Sequence, residues 1–200
     1  MAGRPRSFDI DAALNQIVEA FWDKGFAGTS VDDLQDRIGV KRGSFYAAFG
    51  DKEAAWRLAL DRYTSTVTAT AISTLDSEGT PAEGVAALIR LVGQFLADNV
   101  GRGCMFLSAA GHQMAAGRET REHLERRERA LFTAIRRKAP EPVGSYVIAV
   151  LLGMNAMARA GMSSKVILAA ASIGAEAAAT MIESTVRARA APVEQSHLPP

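Results

Sequence analysis

The sequence predicts an all-α protein, and three observations support this prediction. Apolar residues recur at steps of three and four along most of the chain, which is the spacing of one helix face. No segment alternates apolar and polar residues as a half-buried strand does. Glycine and proline fall at the ends of the periodic segments, where helices stop or start. With 200 residues, 48% of them hydrophobic and 22% charged, the chain can bury a core.

Three short helices and one long helix are predicted first. Asp9 is a good N-cap for the first helix, and Ser30 with Asp33 forms a capping-box pair ahead of the second. Gly25 and Gly39 follow the last periodic residue of these two helices, as a glycine in the left-handed conformation does. The predicted spans are residues 9–24, 30–38, 41–49 and 52–75.

The rest of the chain is also predicted to be helical. Thr80, Pro81 and Glu83 supply an N-cap, a proline at the first helical position and an acidic third residue. A run of alternating arginines and apolar residues further on predicts an amphipathic helix. The predicted segments are a helix over residues 80–98, an apolar stretch over 104–116, and helices over 119–138, 143–160 and 163–189.

The last two predicted helices indicate a homodimer. Residues 143–160 are apolar on nearly every face, with Ser145, Asn155 and Arg159 as the main polar exceptions. Because a helix that is apolar all round has to be buried on all sides, one face is expected to meet another chain. The following helix is rich in alanine, which lets a neighbouring helix approach closely.

The composition favours a cytoplasmic protein without a membrane partner. Cys104 is the single cysteine, so no intramolecular disulfide is possible. Asp9 and Asp11 interrupt the start of the chain before a signal peptide's apolar region could form. The stretch at 147–158, broken by Gly153, is shorter than the roughly 20 residues that cross a bilayer.

No enzyme or cofactor site is expected. The three histidines, His112, His123 and His197, lack the spacing of a helical metal site. The chain has no CxxC, no GxGxxG or P-loop, and no GxSxG motif. We therefore expect no metal, no nucleotide cofactor and no catalytic residues.

The second and third helices have the lengths and the short turn of a helix-turn-helix, in which the second helix enters the DNA major groove. Lys41, Arg42, Gly43 and Ser44 crowd the first turn of that helix. Free backbone N–H groups and the helix dipole favour phosphate at this end. Positive side chains at this end interact unfavourably with the helix dipole, and a bound external anion would compensate for that cost. The alternative is a solvated basic turn on a packing motif.

Basic side chains also occur in the N-terminal arm. The first 50 residues contain slightly more acidic than basic side chains, but four of the six basic ones lie in the arm or at the start of the third helix. Arg4 and Arg6 flank Pro5, as in arms that enter a minor groove. An ordinary flexible tail is the alternative.

Residues 4–63 resemble the DNA-binding domain of TetR-type (TetR/AcrR family) transcriptional regulators. The resemblance rests on Gly-Arg-Pro-Arg at 3–6, Gly-Phe-Ala-Gly-Thr-Ser-Val at 25–31, Ile-Gly-Val-Lys-Arg-Gly-Ser-Phe-Tyr-Ala-Ala-Phe at 38–49, and Asp-Lys-Glu at 51–53. It implies that Thr29, Ser44, Tyr46 and Lys52 hold DNA phosphates and that Lys41, Arg42 and Gly43 lie against base edges. We add Ser30 to the expected DNA-binding residues.

Two positions depart from the common pattern. Gln35 stands where many members have a small residue, so the angle of the third helix is open. Ala48 stands where many have histidine or another polar residue, and its methyl group offers only apolar contact.

The resemblance also implies a division of the chain into a helix-turn-helix domain at 1–52, a ligand-binding and dimerisation domain at 53–190, and a flexible tail at 191–200. Aromatic and apolar side chains with a few polar ones are typical of a pocket for a largely apolar effector, and equally of a core. The candidate ligand-binding residues are Phe95, Met105, Ser108, His112 and Asn155. Near Cys104, Arg102 could favour the reactive thiolate, and a buried structural thiol is the alternative.

The sequence therefore predicts a homodimeric DNA-binding regulator, a repressor released from a palindromic double-stranded DNA operator by a small, largely apolar molecule. The alternative is a helical small-molecule-binding protein or enzyme whose N-terminal helices only pack.

Overall fold

The computed structural model describes residues 8–77, 79–111 and 118–190, and within these ranges the chain forms nine α-helices and no strand. The all-α prediction is confirmed. The helices are α1 (Ile10–Lys24), α2 (Val31–Ile38), α3 (Arg42–Phe49), α4 (Lys52–Ser77), α5 (Pro81–Asp98), α6 (Met105–Gly111), α7 (Arg118–Lys138), α8 (Val143–Arg159) and α9 (Ser164–Ala190).

The helix ends lie close to the predicted ones. Lys41, expected as the first residue of the third helix, is instead its N-cap in extended conformation. The apolar stretch predicted over 104–116 contains α6, which ends at Gly111. Several predicted features lie outside the described residues: the arm with Arg4 and Arg6, the ligand candidate His112, and the tail at 191–200.

Local capping explains where the first two helices begin. The Asp9 carboxylate accepts hydrogen bonds from the backbone N–H groups of Asp11 and Ala12, at 2.9 and 3.1 Å. Ser30 and Asp33 form the expected capping box of α2. Gly39 has a φ of 67°, in the left-handed region, and ends α2. The turn between α2 and α3 is therefore set by local sequence.

Helix α4 connects the first three helices (α1, α2 and α3), which we call the N-terminal or DNA-binding module, to the rest of the molecule. It begins three residues after α3 ends and runs for 26 residues. Its first half packs on α1, where the Trp56 and Phe21 rings form an edge-to-face pair with 4.9 Å between ring centroids. Its second half packs on α5, and α7 contacts both halves, with His123 against Asp61 and Arg137 against Asp76. A displacement of its far half can therefore reach the N-terminal module.

Small residues allow α5, α8 and α9 to pack closely. Gly93 of α5 lies directly against Ala171 of α9, with no room for a side chain. A Cβ atom on Gly174 of α9 would lie 2.9 Å from a methyl carbon of Val150 in α8. These contacts agree with the close approach expected of the alanine-rich last helix.

The same helix has a membrane-like composition. Ser164–Ala188 is long enough to cross a bilayer, and its mean hydropathy reaches 1.5. Core helices of soluble proteins can have the same properties. Here a third of the most apolar window is buried against the chain. The predicted longest apolar stretch, at 147–158, is therefore not the most membrane-like part of the chain.

Candidate DNA interface and effector cavity

Helix α3 divides into a buried face and an exposed basic face. Phe45 and Phe49 are buried in the core of the N-terminal module. Lys41, Arg42 and Gly43 are exposed, and Tyr46 is 41% exposed. Because the aromatic face fixes the rotation of the helix, the basic turn points to solvent. The sequence-predicted residues at 41–43 and Tyr46 therefore share one exposed helix.

The beginning of α3 is electrically suited to an anion. No side chain caps it, and its first turn contains no acidic residue. The N–H groups of Ser44 and Phe45 bond to the Lys41 carbonyl, so those of Arg42 and Gly43 precede the first intrahelical bond. The helix dipole adds its positive end to the Lys41 and Arg42 charges.

The Gly43 position is open, since a Cβ atom built there meets nothing within 4 Å. Glycine is therefore not needed at this position for packing within the chain. The Arg42 guanidinium lies 5.6 Å from the centroid of the Tyr46 ring, within cation–π range.

Thr29, Ser30 and Lys52 support the turns around this helix. Thr29 is only 1% exposed, and its hydroxyl donates to the Gly25 carbonyl at 2.7 Å. Its side chain thus faces the interior. Ser30 is exposed and caps α2. The Lys52 ammonium lies 4.4 Å from the centroid of the Phe26 ring.

An ion pair reinforces the α2 cap. Lys24 donates to the Asp33 carboxylate at 2.7 Å, and the Ser30 backbone N–H donates to the other carboxylate oxygen at 2.8 Å. The Lys24 hydrogen bond, followed by those from Ser30, holds the pKa of Asp33 well below its usual value. The carboxylate stays ionised and keeps the cap formed at neutral pH.

A second candidate site is a cavity of about 190 Å³ that is lined by residues of α4 to α8 and is partly open to solvent. Among the described residues, Thr66, Thr70 and Cys104 supply the polar side-chain groups of its wall, and no charged side chain lines it. Its lining residues are Thr66, Val67, Thr70, Ala71, Leu91, Val92, Phe95, Cys104, Phe106, Leu107, Leu131 and Leu151. Such a wall suits an uncharged, mostly apolar molecule.

The predicted ligand-binding residues are distributed differently. Phe95 lines this cavity. Met105 and Ser108 line a smaller one of about 80 Å³ beside Phe21 and Trp56. Asn155 lines neither of these two cavities. It is buried, and its side chain accepts from the Cys104 backbone N–H at 2.7 Å and donates to the Ser108 hydroxyl at 3.2 Å. The wall residues of α4 at positions 66, 67, 70 and 71 were not predicted as ligand-binding residues. Their spacing, which places them on one helix face, is the signal in the sequence that could have identified them.

Cys104 is a buried thiol at the wall of the larger cavity. The Tyr63 hydroxyl donates to its sulfur at 3.5 Å. Burial raises the pKa of the Cys104 thiol, so the protonated form is favoured. Arg102 does not serve this thiol, because its guanidinium pairs with Glu19 and Asp23 of α1.

The fold and the exposed basic helix define a helix-turn-helix DNA-binding regulator whose remaining helices contain a cavity. The family described as "Bacterial regulatory proteins, tetR family" matches residues 12–54. The TetR family transcriptional regulator CifR, a cysteine mutant solved with 26-base-pair operator DNA, is 30% identical, with a TM-score of 0.73. That match covers 87% of this chain and 99% of CifR.

Relatives from Escherichia coli (strain K12) agree with this result. The HTH-type transcriptional repressor BdcR is 28% identical over 186 residues, covering 90% of this chain and 94% of BdcR. The HTH-type transcriptional repressor ComR is 46% identical over 61 residues, covering 30% of this chain and 29% of ComR. The chain belongs to the TetR family of transcriptional regulators, and the resemblance stated from its motifs is confirmed.

Proposed function

We propose that this TetR-family chain is a homodimeric repressor that binds a palindromic double-stranded DNA operator through α3 and is released by a small ligand in the larger cavity. The exposed basic beginning of α3 carries the proposal, because it places cations, free N–H groups and an open glycine on one surface. BdcR is named a repressor, and the CifR structure contains operator DNA.

The roles of the residues follow from their exposure. We assign base-edge contacts to Lys41, Arg42 and Gly43. We assign phosphate contacts to Ser44, Tyr46 and Lys52, which fix the orientation of the protein on DNA without reading sequence. Thr29 and Ser30 hold the turn ahead of α2, and exposed Ser30 also remains a candidate phosphate contact. Arg4 and Arg6 are proposed to enter the adjacent minor groove.

The proposed dimer uses α8 and α9. Both helices expose large apolar side chains that the single chain does not cover, and Ile173 is 68% exposed. The others on these two helices are Leu152, Val166, Leu168 and Val186. Two copies related by a two-fold axis would cover these surfaces with a four-helix contact and would present two α3 helices to DNA.

The proposed ligand is uncharged and compact. A charged molecule would lose its hydration on entering the larger cavity, where no charged side chain compensates, whereas an apolar molecule would gain from burial. A ligand changes operator affinity only through its different affinity for the two states of the protein. We further propose that the protein acts in the cytoplasm, where it binds DNA and a small metabolite. It is proposed to have no catalytic activity and no cofactor.

The test is selection of bound duplexes from a pool of random double-stranded DNA at about 0.15 M salt. We expect enrichment of an inverted repeat whose half-sites lie about 34–36 Å apart or at a multiple of that distance. Enrichment of no sequence, with binding lost to competitor DNA, would favour the alternative in which the N-terminal helices only pack.

A further inference from the structure

Residues 99–104, which join α5 to α6, contact both the wall of the larger cavity and helix α1. We propose that this 99–104 loop, with Arg102 as its positioning residue, transmits occupation of the cavity to the DNA-binding module. The inference rests on the proposed function, since it states how the ligand would alter operator binding.

Arg102 fastens the loop to α1. Its Nη2 lies 2.7 Å from a carboxylate oxygen of Glu19, and its Nε lies 2.9 Å from one of Asp23. Its guanidinium carbon lies 4.0 Å from the centroid of the Trp22 ring. One side chain thus contacts three residues on one face of α1, through two ion pairs and a cation–π contact.

Trp22 joins α1 to the cavity wall by a second route. Its indole N–H donates to the Gly103 carbonyl at 2.9 Å. Its ring stacks on Phe95, with 6.0 Å between centroids and 5° between planes. Because Phe95 lines the larger cavity, a shift of that ring displaces Trp22 directly.

The other side of the loop is held by α8. The Gly101 N–H donates to the Ala158 carbonyl at 2.8 Å, and the Arg159 side chain donates to the Arg102 carbonyl at 3.2 Å. The Cys104 N–H donates to Asn155. The loop is therefore bonded on both sides.

The backbone of the loop packs closely on α8 at Gly103. Gly101 and Gly103 have φ angles of 87° and 67°, which other residues rarely adopt. A Cβ atom on Gly103 would lie 2.6 Å from the Asn155 side-chain oxygen. Cys104, the last residue of the loop, and Phe95 of the preceding helix both line the cavity.

These contacts form a continuous path. A molecule that shifts Phe95 or Cys104 would also shift the loop, which is hydrogen-bonded to α1 and α8 and packed closely at Gly103. Arg102 and Trp22 then change the position of α1, against which α2 and α4 pack. The change in α3 follows from that movement.

The experiment replaces the unidentified ligand by a side chain. Ala71→Phe and, as a second variant, Val67→Phe each fill part of the cavity from α4. Each is combined with Arg102→Met, which removes the ion pairs but keeps an unbranched stem over Trp22. The matched control is Arg136→Met on α7. It removes an arginine whose Nε lies 3.0 Å from a carboxylate oxygen of Glu141. Only variants that retain a cooperative melt are compared.

The first readout is backbone amide exchange in α1, which requires no DNA. With Arg102 present, we expect a cavity-filling variant to speed α1 exchange by about 10-fold, within the usual range of coupling between sites. When Arg102→Met is added to the cavity-filling variant, filling the cavity should no longer speed α1 exchange. When Arg136→Met is added instead, the roughly 10-fold acceleration should remain. A merely structural role for Arg102 would change exchange equally with the cavity filled or empty.

The second readout is affinity for the selected duplex. We expect filling the cavity to reduce it by about 10-fold with Arg102 present, and the reduction to vanish with Arg102→Met. If α1 exchange responds to neither cavity variant, or responds equally without Arg102, the transmission proposal is overturned while DNA binding is unaffected. If exchange responds as expected but no duplex is ever selected, the proposed function fails and the mechanical path remains.

Discussion

At the scale of single residues, Lys41 and Arg42 stand where they weaken the helix that carries them. A cation in the first turn of a helix opposes the dipole by about 0.3–1 kcal/mol, and no acidic residue in that turn offsets it. A bound phosphate would reverse the sign of this interaction. Residues that are locally unfavourable in the free chain are often those used for binding.

Arg42→Ala should weaken operator binding by about 1–3 kcal/mol and relax preference at one base pair, because a bidentate base contact contributes that much discrimination. Tyr46→Phe should weaken all sequences alike, since it would remove only the proposed phosphate contact. Titrations of matched and mismatched duplexes measure both effects. Arg90→Ala, an exposed arginine of α5, is the control. Unchanged affinity in both folded variants would contradict the assignment of α3.

Gly43→Ala should raise stability while lowering operator affinity. An exposed glycine inside a helix costs about 0.5–1 kcal/mol relative to alanine, and the open space at Gly43 accepts the methyl group. The same methyl group would obstruct a base edge that approaches the backbone. Thermal melts and duplex titrations separate the two effects. Gly79→Ala, where a Cβ atom also fits, should leave affinity unchanged.

Cys104 should react slowly with alkylating reagents at neutral pH. Burial raises its pKa in the folded state, so this group's contribution to stability is present below the unfolded pKa of about 8.5 and is lost as pH rises toward the folded value. Alkylation rates against pH should give an apparent pKa above 8.5, and unfolding should bring it back to that value. An apparent pKa below 8.5 in the folded protein would contradict the burial argument.

At the scale of elements, the helices could be predicted because their ends are determined locally. The capping boxes at Ser30 and Thr80, and Gly39 after α2, are all formed in the structure. The exposed face of α3 could also be predicted, since Phe45 and Phe49 occupy the opposite side. These features depend on neighbours within four residues.

The cavity and the 99–104 loop could not be predicted in the same way. Asn155 had the character of a ligand-binding residue, being polar among apolar neighbours, yet it bonds the Cys104 N–H. Arg102 had a cysteine as its sequence neighbour, yet it pairs with carboxylates more than 75 positions earlier in the chain. Such contacts are set by helix packing, which local periodicity does not specify.

The two capping boxes offer a paired test of the role of α2. Ser30→Ala and Thr80→Ala should each lower stability by about 1 kcal/mol, because each removes a side-chain acceptor for an N-terminal N–H group. Only Ser30→Ala should also lower operator affinity, since Ser30 caps the helix that precedes α3 and is a proposed phosphate contact. Chemical denaturation and duplex titration provide the measurements. An equal effect of both substitutions on affinity would show that global stability alone controls binding.

At the scale of the whole molecule, the unburied apolar face of α8 and α9 has a direct consequence for assembly. Ile173→Asp should give a monomer, because a charge at a surface that is apolar on both copies would be desolvated without a partner. Light scattering at micromolar concentration measures the mass. The control is Leu58→Asp, an exposed leucine of α4. A wild-type monomer with a melt independent of concentration would contradict the dimer.

Whether two α3 helices read one DNA site is decided by the affinity of the wild-type protein for three duplexes: the selected inverted repeat, its scrambled sequence and a single half-site, at about 0.15 M salt. We expect a Kd of about 10⁻⁸ to 10⁻¹¹ M for the repeat, at least about 10³-fold tighter than for the scrambled duplex. We also expect two chains bound per repeat and much weaker binding of the half-site. Equal affinity for all three duplexes, measured with folded protein, would contradict this expectation.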